Sequence, residues 1–106
     1  MLIFLLRHGL TDWNATRRCL GTTDIPLNAD GIAQAQTLAS RCASLSIERV
    51  YHSPLIRAAK TAECVADACH AHLVPCEDLR EVCLGVFQSL TREQSLDAYP
   101  EAAAAY

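Results

Sequence analysis

Leu2-Ile3-Phe4-Leu5-Leu6 is an unbroken apolar run that stops at Arg7-His8-Gly9. That pattern predicts a strand buried on both faces, whose first polar residues emerge at the carboxyl edge of a sheet. A long polar stretch follows. Asn28 can then cap a helix with apolar residues at Ile32, Ala35, Leu38, Ala39 and Cys42, close to a period of about 3.6 residues, running to about Leu45. Arg49-Val50-Tyr51 reads as a second short strand. Ser53-Pro54 supplies a helix cap with proline at the first helical position, and this second helix extends to about Cys69. His72-Leu73-Val74-Pro75 suggests a third strand. Two strand–helix–strand crossovers demand a right-handed parallel arrangement. The expectation is therefore an α/β fold: a three-layer αβα sandwich with a mainly parallel sheet, truncated after about the third strand. No internal repeat, low-complexity linker or Gly/Ser hinge divides the chain, so residues 1–106 read as one folding unit.

A chain of 106 residues buries about two thirds of its unfolded surface, enough for a modest core. It ends on Pro100-Glu101-Ala102-Ala103-Ala104-Ala105-Tyr106, a stretch of high helix propensity with no Gly, Asn or Pro to stop it. It reads as a helix cut in mid-course, and the chain as the amino-terminal half of a larger enzyme. Hydrophobic residues make up 51%, charged residues 20%, and the formal net charge is −3. That balance supplies no field to attract nucleic acid or an anionic membrane. The apolar run before Arg7 is too short for a signal-peptide core or a membrane span, so a cytoplasmic location is expected. Cys19, Cys42, Cys64, Cys69, Cys76 and Cys83 are scattered through helical and strand-like patterns, which suits reduced, mostly buried thiols. Cys64, Cys69, His70, His72 and Cys76 lack paired C-x-x-C spacing, so no metal is expected there.

The chemistry of the first turn is that of phosphate. At a sheet's carboxyl edge the fork of Arg7 can hold two phosphoryl oxygens, a neutral His8 nitrogen can offer its lone pair to phosphorus, and Gly9 lets backbone approach an anion. The wider stretch Leu6-Arg7-His8-Gly9-Leu10-Thr11-Asp12-Trp13-Asn14 resembles the opening motif of the histidine phosphatase superfamily, also called phosphoglycerate mutase-like. Three further blocks agree in order and spacing. They are Gly21-Thr22-Thr23-Asp24-Ile25-Pro26-Leu27-Asn28-Ala29-Asp30-Gly31, Tyr51-His52-Ser53-Pro54-Leu55-Ile56-Arg57-Ala58-Ala59-Lys60-Thr61-Ala62, and Asp78-Leu79-Arg80-Glu81 followed by Gly85. The resemblance spans nearly the whole chain, and on it residues 1–106 are expected to be the amino-terminal part of a single domain of that family.

The resemblance implies a mechanism. His8 is the nucleophile that forms a transient phosphohistidine, Arg7 and Arg57 clamp the phosphoryl group, and Glu81 is the general acid. Asn14 is a neutral donor, Leu20 and Gly21 match positions near the substrate phosphate, and Gln88 is a specificity contact. No cofactor or metal is implied. On residue type alone, Arg57 reads as a solvated helix cation and Glu81 as a surface carboxylate paired with Arg80. Trp13 reads as a loop anchor.

Two departures from the family pattern stand out. The second histidine of the family, which precedes a glycine and completes the phosphate pocket, has no counterpart: His52, His70 and His72 lie in the wrong contexts. Without such a donor, turnover should fall by about a hundredfold or more. Gln88-Ser89 occupies a place where many family phosphatases carry an acidic residue followed by glycine. Thr11 after Gly9-Leu10 resembles the phosphatase branch, and Asp97-Ala98-Tyr99-Pro100-Glu101 resembles α-ribazole phosphatases, whereas Trp13-Asn14 leans toward the mutases. The expected function is phosphomonoester hydrolysis on a small phosphorylated metabolite, α-ribazole phosphate being one candidate. The alternatives are phosphoglycerate mutase-type transfer and an inactive, phosphate-binding truncated product. The partners expected are that metabolite and, at most, a second copy of the chain as a homodimer.

Overall fold

The computed structural model describes residues 1–105. Thr11 opens helix α1 (Asp12–Ala15) through a reciprocal capping box: its hydroxyl accepts from the Asn14 amide at 3.1 Å, and Asn14 Oδ1 accepts from the Thr11 amide at 3.1 Å. Asn28 caps α2 (Ala29–Cys42), its Oδ1 accepting from the Gly31 amide at 2.8 Å. The buried side of α2 carries Gly31, Ala35, Ala39 and Cys42, while Ile32 stays exposed. The helix ends at Cys42, slightly short of the predicted Leu45.

Strands β1 (Arg49–His52) and β2 (His72–Pro75) pair in parallel, with Arg49 opposite His72 and His52 opposite Pro75. The crossover between them is α3 (Ile56–Cys69), which packs on both strands and on α2. Its inward face carries Arg57, Thr61, Ala62, Val65 and Ala66. Small side chains dominate that α2–α3 seam, which lets the two helices approach closely. Ser53-Pro54 is a lead-in rather than the cap itself. Leu55 stands at the N-cap position, and the first helical amide, that of Ile56, donates to Asp24 Oδ1 at 2.7 Å. The capping carboxylate thus comes from a distant loop, which a local sequence signal does not reveal. At the other end, His70 takes the left-handed conformation (φ 53°) that closes α3.

Beyond β2 the chain makes two 3-10 turns, Glu77–Leu79 and Gly85–Phe87, then α4 (Arg92–Ala98) and α5 (Pro100–Ala104). Thr91 and Gln94 form a second capping box at α4. The rings of Phe87 and Tyr99 meet edge to face at 6.1 Å, tying the second turn to the α4–α5 junction. The alanine-rich segment is helical as predicted, starting from proline in its first turn; Tyr106 lies outside the described residues.

One predicted element is absent. Leu2–Leu6 forms no strand: it has no backbone partner among the described residues, and Leu2 and Leu5 are 78% and 93% exposed. The apolar pattern reports a demand for burial, but a strand exists only where a neighbour offers donors and acceptors. The two-stranded sheet does not extend to this segment. The fold remains α/β with parallel strands joined by a helical crossover. No helix among the described residues is long and apolar enough to cross a membrane.

Candidate active site

Strand β1 ends at His52 and α3 begins at Ile56, so Arg57 lies just beyond the carboxyl end of the sheet. Its side chain is not the solvated cation that residue type suggests: Arg57 is only 2% exposed. Nη1 donates to the Thr23 carbonyl at 2.6 Å and Nη2 to the Gly21 carbonyl at 2.8 Å. Gly21 has φ 54°, a conformation that favours glycine, and a Cβ there would strike the amide oxygen of Gln88. Burial lowers the Arg57 pKa, opposed by the carboxylates of Glu81 and Asp24. Nε and the remaining Nη protons have no partner among the described residues, leaving Arg57 with donors for an incoming anion.

One turn further along α3, Thr61 joins Arg57 to the segment that follows His8. Its Oγ1 donates to the Arg57 carbonyl at 2.8 Å and accepts from the Gly9 amide at 3.1 Å. On the other side, the Leu10 amide donates to Gln34 Oε1 at 3.0 Å and the Leu10 carbonyl accepts from the Asn28 amide at 3.0 Å. The fit is tight enough to require two glycines. A Cβ on Gly9 would strike the Gly31 carbonyl, and one on Gly31 would strike that of Leu10. Residues 9–10 are therefore clamped between α2 and α3.

His8 sits at the tip of this clamp, half-buried, with Nδ1 2.6 Å from the Gly9 carbonyl. A carbonyl oxygen can only accept, so Nδ1 carries the proton and Nε2 holds the free lone pair. Burial pushes the His8 pKa below its ordinary value; the Gly9 bond opposes this, the Arg57 and Arg7 charges add to it, and Glu81 opposes it. The ring is thus neutral at pH 7. The same interactions place His8, Arg57, Arg7 and Glu81 in one electrostatic neighbourhood.

Arg7 is exposed and has no hydrogen-bond partner among the described residues. Glu81 is exposed too, six residues past β2, its Oε1 accepting from the Val82 amide at 3.3 Å. Arg80 pairs with Glu77 at 3.0 Å, not with Glu81. Asn14 uses its oxygen in the α1 cap and keeps its Nδ2 protons unpaired among the described residues. Leu20 is buried, and its carbonyl accepts from the Thr23 amide at 3.0 Å. Gln88 Oε1 accepts from the Thr22 amide at 3.0 Å, the Thr22 hydroxyl at 3.2 Å and the Leu84 amide at 3.2 Å, while Nε2 donates to Thr23 Oγ1 at 3.1 Å. Ser89 takes φ 71°, filling with a side chain a conformation better suited to glycine.

The other three histidines lie apart from this cluster or are otherwise engaged. His52 Nδ1 bonds the Ser53 carbonyl at 2.8 Å, and His70 and His72 flank the opposite, amino end of the sheet. Thr61 and Asp24, which carry no role in the motif reading, here tie α3 to the residues 9–10 segment and to the Gly21–Asp24 loop. The spacing of Thr61 from Arg57, four residues along one helix, was the available signal. All six cysteines are free thiols, and no group of three or more His, Cys, Asp or Glu among the described residues could hold a metal ion.

The half-buried His8 thus feels the charges of the buried Arg57 and of the exposed Arg7 and Glu81. Residues 3–106 match the histidine phosphatase superfamily (branch 1), and the chain belongs to that family. Its α/β fold is accordingly of the phosphoglycerate mutase-like kind. Among curated relatives, a probable phosphoglycerate mutase of Proteus mirabilis is 42% identical over 86 residues, covering 81% of this chain and 40% of its own length. An uncharacterized phosphatase of Bacillus subtilis is 37% identical over 99 residues, covering 93% and 51%. A mycobacterial glucosyl-3-phosphoglycerate phosphatase, solved in complex with VO3, superposes with a TM-score of 0.86 at 32% identity, covering 92% of this chain and 47% of that one. A candidate alpha-ribazole-5'-P phosphatase of Escherichia coli gives 0.86 at 29% identity, covering 94% and 50%. The chain spans about half the length of the relatives it matches.

Proposed function

We propose that His8 accepts a phosphoryl group from a small phosphorylated metabolite, as the first half of phosphomonoester hydrolysis. The observation that carries this reading is the bond from His8 Nδ1 to the Gly9 carbonyl, which fixes the tautomer with Nε2 free. Nε2 attacks phosphorus in line with the ester oxygen, the N–P bond forms and the P–O bond breaks. Glu81, sharing a proton with the substrate phosphate, returns it to the departing alkoxide. Water then attacks the phosphohistidine, Glu81 takes up the proton, and inorganic phosphate and neutral His8 are regenerated. Arg57 and Arg7 hold the equatorial oxygens, where negative charge is concentrated in the transition state.

The α-ribazole phosphate reading is supported by the similarity to the Escherichia coli protein, and a mycobacterial phosphatase relative solved in complex with VO3 is consistent with oxyanion chemistry on this fold. Mutase-type transfer is favoured by a different observation, the 42% identity to the Proteus mirabilis protein. The two readings share His8, Arg7, Arg57 and Glu81. They separate in one experiment: the chain is charged on His8, identified by the ³¹P signal of the phosphoramidate, and then offered water or phosphoglycerate. Loss of the signal to inorganic phosphate marks hydrolysis; phosphoglycerate-dependent loss and rephosphorylation marks the mutase. Equal release from an aryl phosphate by the native chain and by His8→Ala would remove His8 from the chemistry.

A further inference from the structure

Gln88 stands where the sequence suggests a substrate contact, yet its side-chain oxygen faces inward onto the protein. That oxygen accepts from Thr22 N, Thr22 Oγ1 and Leu84 N, and the amide nitrogen reaches Thr23 Oγ1. The flanking backbone is locked to the same loop: the Ser89 amide donates to the Cys19 carbonyl at 2.9 Å and the Cys19 amide to the Leu90 carbonyl at 3.0 Å. The segment Gly21–Thr23 that Gln88 braces is the one whose two carbonyls hold the Arg57 guanidinium. A Cβ on Gly21 would meet Gln88 Oε1, so the contact is close as well as polar.

We infer that Gln88 is a positioning residue for Arg57, setting the guanidinium by bracing the Gly21 and Thr23 carbonyls rather than by touching substrate. Three donors converge on one neutral oxygen, and replacing it leaves Thr22 N and Leu84 N to find other partners. The Gly21–Thr23 turn then loses its brace, and the guanidinium loses the pair of acceptors that sets its plane. The inference rests on the reading of Arg57 as a phosphoryl-holding cation, and the two can fail separately.

The test uses ¹⁵N-arginine-labelled chain and two readouts, the Arg57 guanidinium N–H signals and the affinity for inorganic phosphate followed by ³¹P titration. The native chain should show resolved Arg57 Nη signals, because its two bonds slow rotation of the group. Gln88→Met should collapse those signals and weaken phosphate binding by about tenfold, the worth of one good hydrogen bond. Gln88→Glu keeps the acceptor and should restore the signals. Should Gln88→Met lose the Val65 methyl dispersion of the folded core, Thr23→Val removes a single partner of Gln88 and should broaden the Arg57 signals partially. Unchanged Arg57 signals in a folded Gln88→Met or Thr23→Val chain overturn the inference, and weakened phosphate binding beside them would make Gln88 a direct contact. Collapse of the signals in a chain whose native form binds no phosphate would support the positioning and sink the role given to Arg57.

Discussion

The two cations that flank His8 are held in opposite ways. Arg57 is buried, with a defined guanidinium plane set by the Gly21 and Thr23 carbonyls and its backbone tied through Thr61 to Gly9. Arg7 is exposed, without a partner among the described residues, and follows an apolar segment that is itself exposed. One cation is preorganised and the other is free to reorient. Preorganised donors need no reorganisation when charge develops, whereas a free side chain must lose rotamer freedom on gripping the anion. Packing thus builds the α2–α3 half of the site, while the half at Arg7 is left without a fixed orientation.

The comparison breaks most visibly in paired alanine variants. Arg57→Ala strands two backbone carbonyls and should cost about 3 kcal/mol in denaturant unfolding, besides abolishing phosphoryl incorporation. Arg7→Ala should change stability by less than about 0.5 kcal/mol while still weakening incorporation. Equal destabilisation by the two would erase the distinction. Next in size is Gly31→Ala, whose methyl would collide with the Leu10 carbonyl that holds the clamp. It should cost about 2 kcal/mol despite the better helix propensity of alanine, and unchanged thermal stability would show the clamp to be loose.

Acid should act on the His8 side. Because burial lowers its folded pKa, the unfolded chain binds a proton more readily as pH falls below the ordinary value of 6.5. The His8 contribution to stability is therefore full above 6.5, declines as pH drops from there, and levels off beneath the folded pKa. Phosphoryl incorporation should stay level through neutrality and fall only on the acid side of 6.5, as the Nε2 lone pair is protonated. A decline beginning above 6.5 would contradict the burial effect. Ser89→Gly should stabilise by about 0.5–1 kcal/mol, since it relieves a side chain held at positive φ. A loss of stability on calorimetry would mean that the serine's own contacts outweigh the strain. The smallest effect belongs to Leu5→Ser, under about 0.5 kcal/mol, and a larger one would show that the Leu2–Leu6 segment is covered in solution.

Much of this architecture follows from local sequence, element by element. Asn28 as a cap, both short strands and the Ala29–Cys42 and Ile56–Cys69 helices rest on signals within a few residues of each other. Motif and spacing name His8, Arg57, Arg7 and Glu81 as candidates; in the structure the charges of the other three act on His8, and that of Glu81 acts on Arg57. The misreadings share a cause. Leu2–Leu6 needs a neighbouring strand, α3 takes its cap from Asp24 across 32 residues, and Arg80 chose Glu77 over Glu81.

Helices α2 and α3 and strands β1 and β2 are written in the sequence, because capping, periodicity and crossover handedness are short-range or topological rules. Only the tertiary structure decided that Arg57 is buried, since its two acceptors lie 34 and 36 residues away. Only it decided which His8 nitrogen is free, through one carbonyl oxygen, and that Gln88 faces the protein. These outcomes turn on where backbone donors and acceptors from separate segments meet, and an unpaired buried polar group is too costly for the fold to leave that meeting to chance.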